Sequence, residues 1–232
     1  MPAPMTPGKI FVADQRGLAQ TASFQRYATL NFSNFYHEHR QPLGHLLAVN
    51  EESLAGGGTL TLPVPEAAHI VLLPITGTVE VLLGNEILAI EVEQVQVLTL
   101  PAGATLRLRN LYPDHLIRLL HLWVRADAPA PAMGPAVGFS CEALANRLVP
   151  LLPTTAGLPF GLSLGRFAGR HEAPYVLAPG RLFFGFALAG AFEVEGRLLH
   201  AQDGLALWDA AAPIELEALS NDALLLVLDV AA

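Results

Sequence analysis

The sequence predicts an all-β protein made of two antiparallel barrels in tandem. Three observations carry that expectation. Polar and apolar residues alternate in several stretches, as in half-buried strands. Turn formers, 20 glycines and 18 prolines in 232 residues, punctuate the chain at short intervals, which suits many short strands joined by tight turns. A weak internal repeat flanks a Pro/Ala-rich stretch.

The alternation is clearest in Glu91-Val92-Glu93-Gln94-Val95-Gln96-Val97 and in Glu215-Leu216-Glu217-Ala218-Leu219. Val79 to Leu83 and Ile87 to Ile90 read as a hairpin closed by Gly84-Asn85. Gly56-Gly57-Gly58 reads as a bend before a strand; it lacks the Lys-Ser/Thr of a phosphate loop. One segment, Cys141 to Val149, has a helical pattern with Ser140 as N-cap.

Ala126 to Pro135 has no apolar periodicity and reads as a linker. Residues 126–136 therefore separate an N-terminal barrel, 1–125, from a C-terminal barrel, 137–232, and the C-terminal tail is free to cross over and complete the first barrel. The first copy of the repeat contains Thr76-Gly77-Thr78-Val79-Glu80-Val81 and closes on Leu119-Leu120-His121-Leu122-Trp123-Val124. The second contains Ala189-Gly190-Ala191-Phe192-Glu193-Val194 and closes on Leu224 to Val230. Phe183-Phe184-Gly185-Phe186 reads as core packing of the second barrel.

Composition excludes several functions. The chain is 52% apolar and 15% charged, with a net charge of −8 and its 13 Lys and Arg scattered singly. Without a basic stripe it is not expected to bind nucleic acid. No apolar run approaches the ~20 residues that span a bilayer, and the first nine residues carry three prolines and no apolar core of a signal peptide. A cytoplasmic protein with no membrane partner is expected. The single Cys141 supports neither a disulfide nor a Cys-rich metal site. There is no G-x-S-x-G nucleophile elbow.

Three stretches resemble the pirin-like bicupins, a group whose bacterial members include quercetin 2,3-dioxygenases. They are Asn31-Phe32-Ser33-Asn34-Phe35-Tyr36, the ungapped run from Asn50 to Glu80, and Gln202-Asp203-Gly204-Leu205-Ala206-Leu207-Trp208-Asp209. The resemblance implies an all-β bicupin, two cupin barrels of jelly-roll type. It also implies a metal in the first barrel, held by an H-x-H pair and a later H-x-E pair. Residues i and i+2 of a strand share a face, so each pair offers two ligands to one ion.

The positions that match those pairs are Pro63 and Pro65, then Leu106 and Leu108. None can ligate through its side chain. In the second barrel the equivalent stretch, Val176 to Gly180, has no such pair. No metal and no other cofactor is therefore expected.

Of the eight histidines, His69 is the main candidate. It shares a strand face with Val71 and Leu73, a face expected to point into the first barrel. It reads as a core histidine, as a contact to a small molecule, or as a lone metal ligand. His37-Glu38-His39 and His45 read as solvated loop, His115 as a turn residue and His121 as a strand residue. The candidate pocket is Leu62, Pro63, Pro65, His69, Val71, Leu106 and Leu108, with no catalytic residue. The function that follows is a metal-free binding or regulatory protein holding a small apolar or aromatic ligand. The alternative is a quercetinase-type dioxygenase with an unorthodox site made from His69 and loop histidines.

Overall fold

A computed structural model describes residues 6–127, 132–154 and 158–232. Ala128 to Pro131 of the expected linker lie outside the described residues. In chain order the strands are β1 (Gly8–Phe11), β2 (Gly17–Gln20), β3 (Phe24–Ala28), β4 (Leu46–Leu54), β5 (Thr59–Pro63), β6 (Ala68–Thr76), β7 (Val79–Leu83), β8 (Glu86–Ile90), β9 (Gln94–Leu100), β10 (Thr105–Asn110) and β11 (Ile117–Arg125). They continue with β12 (Ala132–Met133), β13 (Val137–Gly138), β14 (Leu148–Leu152), β15 (Phe160–Phe167), β16 (Glu172–Tyr175), β17 (Arg181–Ala189), β18 (Phe192–Val194), β19 (Arg197–Leu199), β20 (Gly204–Trp208), β21 (Ile214–Ala218) and β22 (Ala223–Ala231). Every strand pairing among the described residues is antiparallel except an isolated bridge between Ala145 and Arg166.

The first unit along the chain, Arg16–Phe139, has one sheet of order β5-β10-β7-β8 and a larger one of order β12-β9-β6-β11-β4-β3-β2. Its core lies between them and includes Leu60, Leu62, Ile70, Leu106, Leu108 and Trp123. The other unit has sheets of order β16-β21-β18-β19 and β1-β20-β17-β22-β15-β14, with Phe167, Phe183, Phe192, Leu207, Leu225 and Val227 in its core. Adding eleven to the label maps the whole smaller sheet and the run β9-β6-β11-β4-β3 of the larger one onto their counterparts, so the repeat read in the sequence is a repeat of fold.

The strand at one sheet edge breaks the expected division. In the first unit β12 and β13 pair with β9. The corresponding edge of the second, β20, pairs with β1. The segment ending at Gln15 therefore groups with Ser140–Ala232 rather than with residues 16–125. The C-terminal strand does not complete the first barrel; β22 lies between β15 and β17. An open edge needs a strand to satisfy its N–H and C=O groups, and in the second unit β1 supplies it.

Two local expectations change for identifiable reasons. Ser140 Oγ does accept from Ala143 N, at 3.2 Å, as an N-cap would. The helix stops at that turn, because Asn146 takes φ +53° and Leu148–Leu152 joins a sheet edge, where Pro150 is tolerated. The alternation at Glu91–Val97 includes a turn at Val92-Glu93, with Glu93 at φ +61°, so the strand begins at Gln94. The Gly84-Asn85 hairpin forms as expected, with Leu83 opposite Glu86.

The repeat glycines are required by the backbone. Gly77 and Gly190 occupy matching turns at φ +70° and +74°, a region that L-residues avoid. A Cβ at Gly77 would lie 2.5 Å from Ile117 Cγ2. Gly77→Ala should therefore cost more than about 1 kcal/mol, seen as a fall in thermal midpoint. Gly84→Ala is the control: its φ is +58° with no heavy atom within 4 Å of the added Cβ, so it should cost less.

Candidate functional site

Strand register decides which side chains share the interior of the first barrel. Side chains alternate across a strand, and Ala68, Ile70 and Leu72 belong to the core cluster. The inner face of β6 is therefore the even-numbered one. Cross-strand pairing extends that face in rows. Ala28, Asn50, His121, Leu72 and Gln96 lie side by side across five strands. Ala48, Trp123, Ile70 and Leu98 form the next row. Arg26, Glu52 and Leu119 form a third.

This parity corrects the reading of His69. It lies on the opposite face of β6, with Val71 and Leu73, and is only partly buried. Its Nδ1 is 2.9 Å from Oγ1 of its cross-strand neighbour Thr99. Burial lowers its pKa, while the charge of Asp127 opposes that shift.

Pro63 and Pro65 are corrected for the same reason. Both are exposed, whereas Leu62 and Val64 between and beside them are inside. Leu106 and Leu108 do point inward and are fully buried. The register sets Leu62 opposite Leu106 and Leu60 opposite Leu108. The inward positions on β5 and its extension thus carry Leu60, Leu62 and Val64, and the two on β10 that face β5 carry Leu106 and Leu108. Hydrocarbon side chains have no donor atoms, so these residues do not fit a metal ion. Among the described residues no group of three or more His, Cys, Asp or Glu could hold one. His37 and His39 are exposed on the loop after the aromatic segment.

The interior is nevertheless polar on its other wall. Arg26 Nε donates to Glu52 Oε1, and both side chains are buried. His121 Nε2 lies 2.9 Å from the same oxygen. Trp123 Nε1, which can only donate, gives its hydrogen to His121 Nδ1 at 2.7 Å. That bond fixes His121 as the Nε2–H tautomer, donating to Glu52. Burial lowers the His121 pKa and outweighs the opposing effect of Glu52. The imidazole is neutral, because a second proton on Nδ1 would face the indole N–H. Phe32 packs edge-on against both rings, 5.7 Å from His121 and 5.2 Å from Trp123.

Several atoms of this wall are buried with no hydrogen-bond partner: Arg26 Nη2, Glu52 Oε2, both amide atoms of Asn50 and Gln96 Oε1. Native interiors rarely leave such groups unpaired. The second barrel shows the ordinary case. There Asp229 accepts from Tyr175 Oη at 3.1 Å and from Arg181 Nε, and Arg181 Nη2 donates to two backbone carbonyls. Burial, reinforced by Asp229, raises the Tyr175 pKa far above its usual value.

A cavity of about 850 Å³ opens onto the polar wall of the first barrel. Arg26, Phe32 and Trp123 line it where it meets that wall, and Phe24, Leu47, Leu60 and Leu62 extend its apolar lining. Pro63 and Pro65 border it, whereas His69, Val71, Leu106 and Leu108 do not line it. Of the seven residues expected to form the pocket, three therefore meet at this cavity. Arg26, Asn50, Glu52, Gln96 and Trp123 were missed, and His121 was read only as a strand residue. The available signal was Asn50-Glu51-Glu52, a polar run inside a long apolar strand, together with the i, i+2 spacing of His121 and Trp123.

Residues 160–230 match the quercetinase C-terminal cupin domain. None of the curated proteins matches the chain in sequence. Among solved structures, YhhW from Escherichia coli superposes with a TM-score of 0.84 at 18% identity, over 97% of each chain. A second structure, bacterial pirin YhhW in complex with nickel(II), gives the same score and identity over 97% of this chain and 99% of that one. A quercetin 2,3-dioxygenase from Acinetobacter baumannii follows at 0.76 and 16% identity, over 98% and 88%. No described helix is long and apolar enough to cross a membrane. Residues 160–230 thus match a quercetinase-type cupin domain, and the chain along its length shares the fold of the bacterial pirin YhhW.

Proposed function

We propose that this protein is a metal-free, small-molecule-binding bicupin of the cytoplasm, with its ligand site in the first-barrel cavity. One observation carries the reading: the inward positions of β5 and β10 that face each other, Leu60 with Leu108 and Leu62 with Leu106, are all leucine, beside a cavity of about 850 Å³. An apolar cavity with a few polar groups at one wall is the usual form of a small-molecule site. The ligand class it suits is a small apolar or aromatic compound.

The fold shared with quercetin 2,3-dioxygenase favours a second reading, a dioxygenase using His69 and loop histidines. The placement of those histidines opposes it. His69 lies on the outer face of β6, and His37 and His39 are exposed. Elemental analysis of untagged, purified protein separates the two. Clearly sub-stoichiometric transition metal is expected, and near-equimolar iron, copper, nickel or manganese would overturn the metal-free reading.

A further inference from the structure

Two residues lining the first-barrel cavity hold buried polar atoms that lack a partner, and both atoms are hydrogen-bond donors: Arg26 Nη2 and Asn31 Nδ2. The assignment for Asn31 is fixed by its other end, since Oδ1 accepts from His37 N at 2.8 Å. Arg26 spends Nε on Glu52. Its guanidinium is held over the rings of Phe32 and Phe24, 4.8 and 5.4 Å from their centroids. A buried donor left without an acceptor is destabilising, so two of them beside one cavity call for an acceptor there.

No residue lining the cavity holds an unpartnered buried acceptor. Water and hydroxyl groups can accept there too, but bring donors that need partners of their own. A carboxylate only accepts, and its bond to a guanidinium is charge-assisted. The apolar part of the lining, Phe24, Phe32, Leu47, Leu60, Leu62 and Trp123, suits an apolar or aromatic body; Thr21, Ser23, Thr59, Thr61 and Glu66 also line the cavity.

We propose that the cavity receives a small aromatic or apolar carboxylate, whose oxygens accept from Arg26 Nη2 and Asn31 Nδ2. This deepens, and rests on, the reading of the cavity as a small-molecule site. It adds two recognition residues, on β3 and in the loop after it, and a head group for the ligand.

The test compares 2-naphthoate with 2-methylnaphthalene by fluorescence titration of the full chain. The carboxylate should bind wild type at least about tenfold more tightly, the equivalent of one charged hydrogen bond. Two variants keep the local structure while removing the Nη2 and Nδ2 atoms themselves. Arg26→Lys leaves a cation beside Glu52, and Asn31→Asp leaves an acceptor for His37 N. Each should weaken 2-naphthoate by about tenfold and leave 2-methylnaphthalene within about twofold. Equal binding of the two probes by wild type, or variants that do not discriminate between them, would overturn the carboxylate proposal and leave the apolar cup standing. If neither probe binds wild type, the cup itself is refuted.

Discussion

Glu52→Leu should destabilise the protein by about 3–5 kcal/mol, the cost of stranding a charge by removing one partner of a buried pair. The substitution leaves the Arg26 guanidinium inside the first barrel with no carboxylate, since Glu52 is its ion-pair partner and is fully buried. It also deprives His121 Nε2 of its acceptor. The double variant Arg26→Met/Glu52→Leu should recover most of the loss, because replacing a whole buried pair by packed hydrocarbon is often neutral or stabilising. Denaturant midpoints of wild type, both single variants and the double variant form the cycle that measures the coupling. A loss below about 1 kcal/mol for Glu52→Leu would place the pair in a wet, well-screened site and refute the dry polar wall.

His121 should make the protein acid-sensitive. Its pKa is lowered from the ordinary 6.5, chiefly by burial and in small part by the charge of Arg26, against the hydrogen bond and charge of Glu52. In the unfolded chain the imidazole takes up a proton as pH falls through 6.5, while the folded barrel keeps it neutral. The unfolded state then binds more protons, so stability falls below pH 6.5 and continues to fall until the folded-state pKa is passed. The slope for one such group reaches about 1.4 kcal/mol per pH unit. His69 is shifted the same way, so the wild-type profile contains both. His121→Gln isolates the term, since a glutamine offers Trp123 an acceptor and Glu52 a donor. Between pH 7 and pH 5 the variant should lose less stability than wild type; an identical loss would mean that His121 titrates normally.

The fold was legible wherever the chemistry was local. Gly84-Asn85 announces its hairpin, and Gly77 and Gly190 mark equivalent turns of two equivalent barrels. Residues 141–149 misled because a cap and one turn look the same whether or not a helix follows; the decision came from pairing with Phe160–Phe167. The site was far less legible. Alternation says that His69 and Val71 share a face, but which face is inner depends on the strands at either side. The same limit hid the row from Asn50 through His121 to Gln96, whose members come from β4, β11 and β9 and meet only through register. A resemblance to a metal-binding family drew attention to β5 and β10, where the family's ligands would fall. The polar chemistry of this chain stands on β3, β4 and β11 instead.

The pairing of Gly8–Phe11 with Gly204–Leu207 ties the order of assembly to the order of synthesis. Ala13 N donates to Asp203 Oδ1 across 190 positions of sequence. On a ribosome, β1 is made before its partner edge, β20, with residues 16–139 made between them. Residues 16–139 carry every described strand of their own two sheets and have all of them in hand before β14 is made. The other unit must keep β1 in reserve until β20, Gly204–Trp208, has been made. Closing so long a loop adds only slowly growing entropy, but such non-local pairings are the slow ones. The barrel that carries the cavity can therefore be finished while β1 still waits for its partner edge.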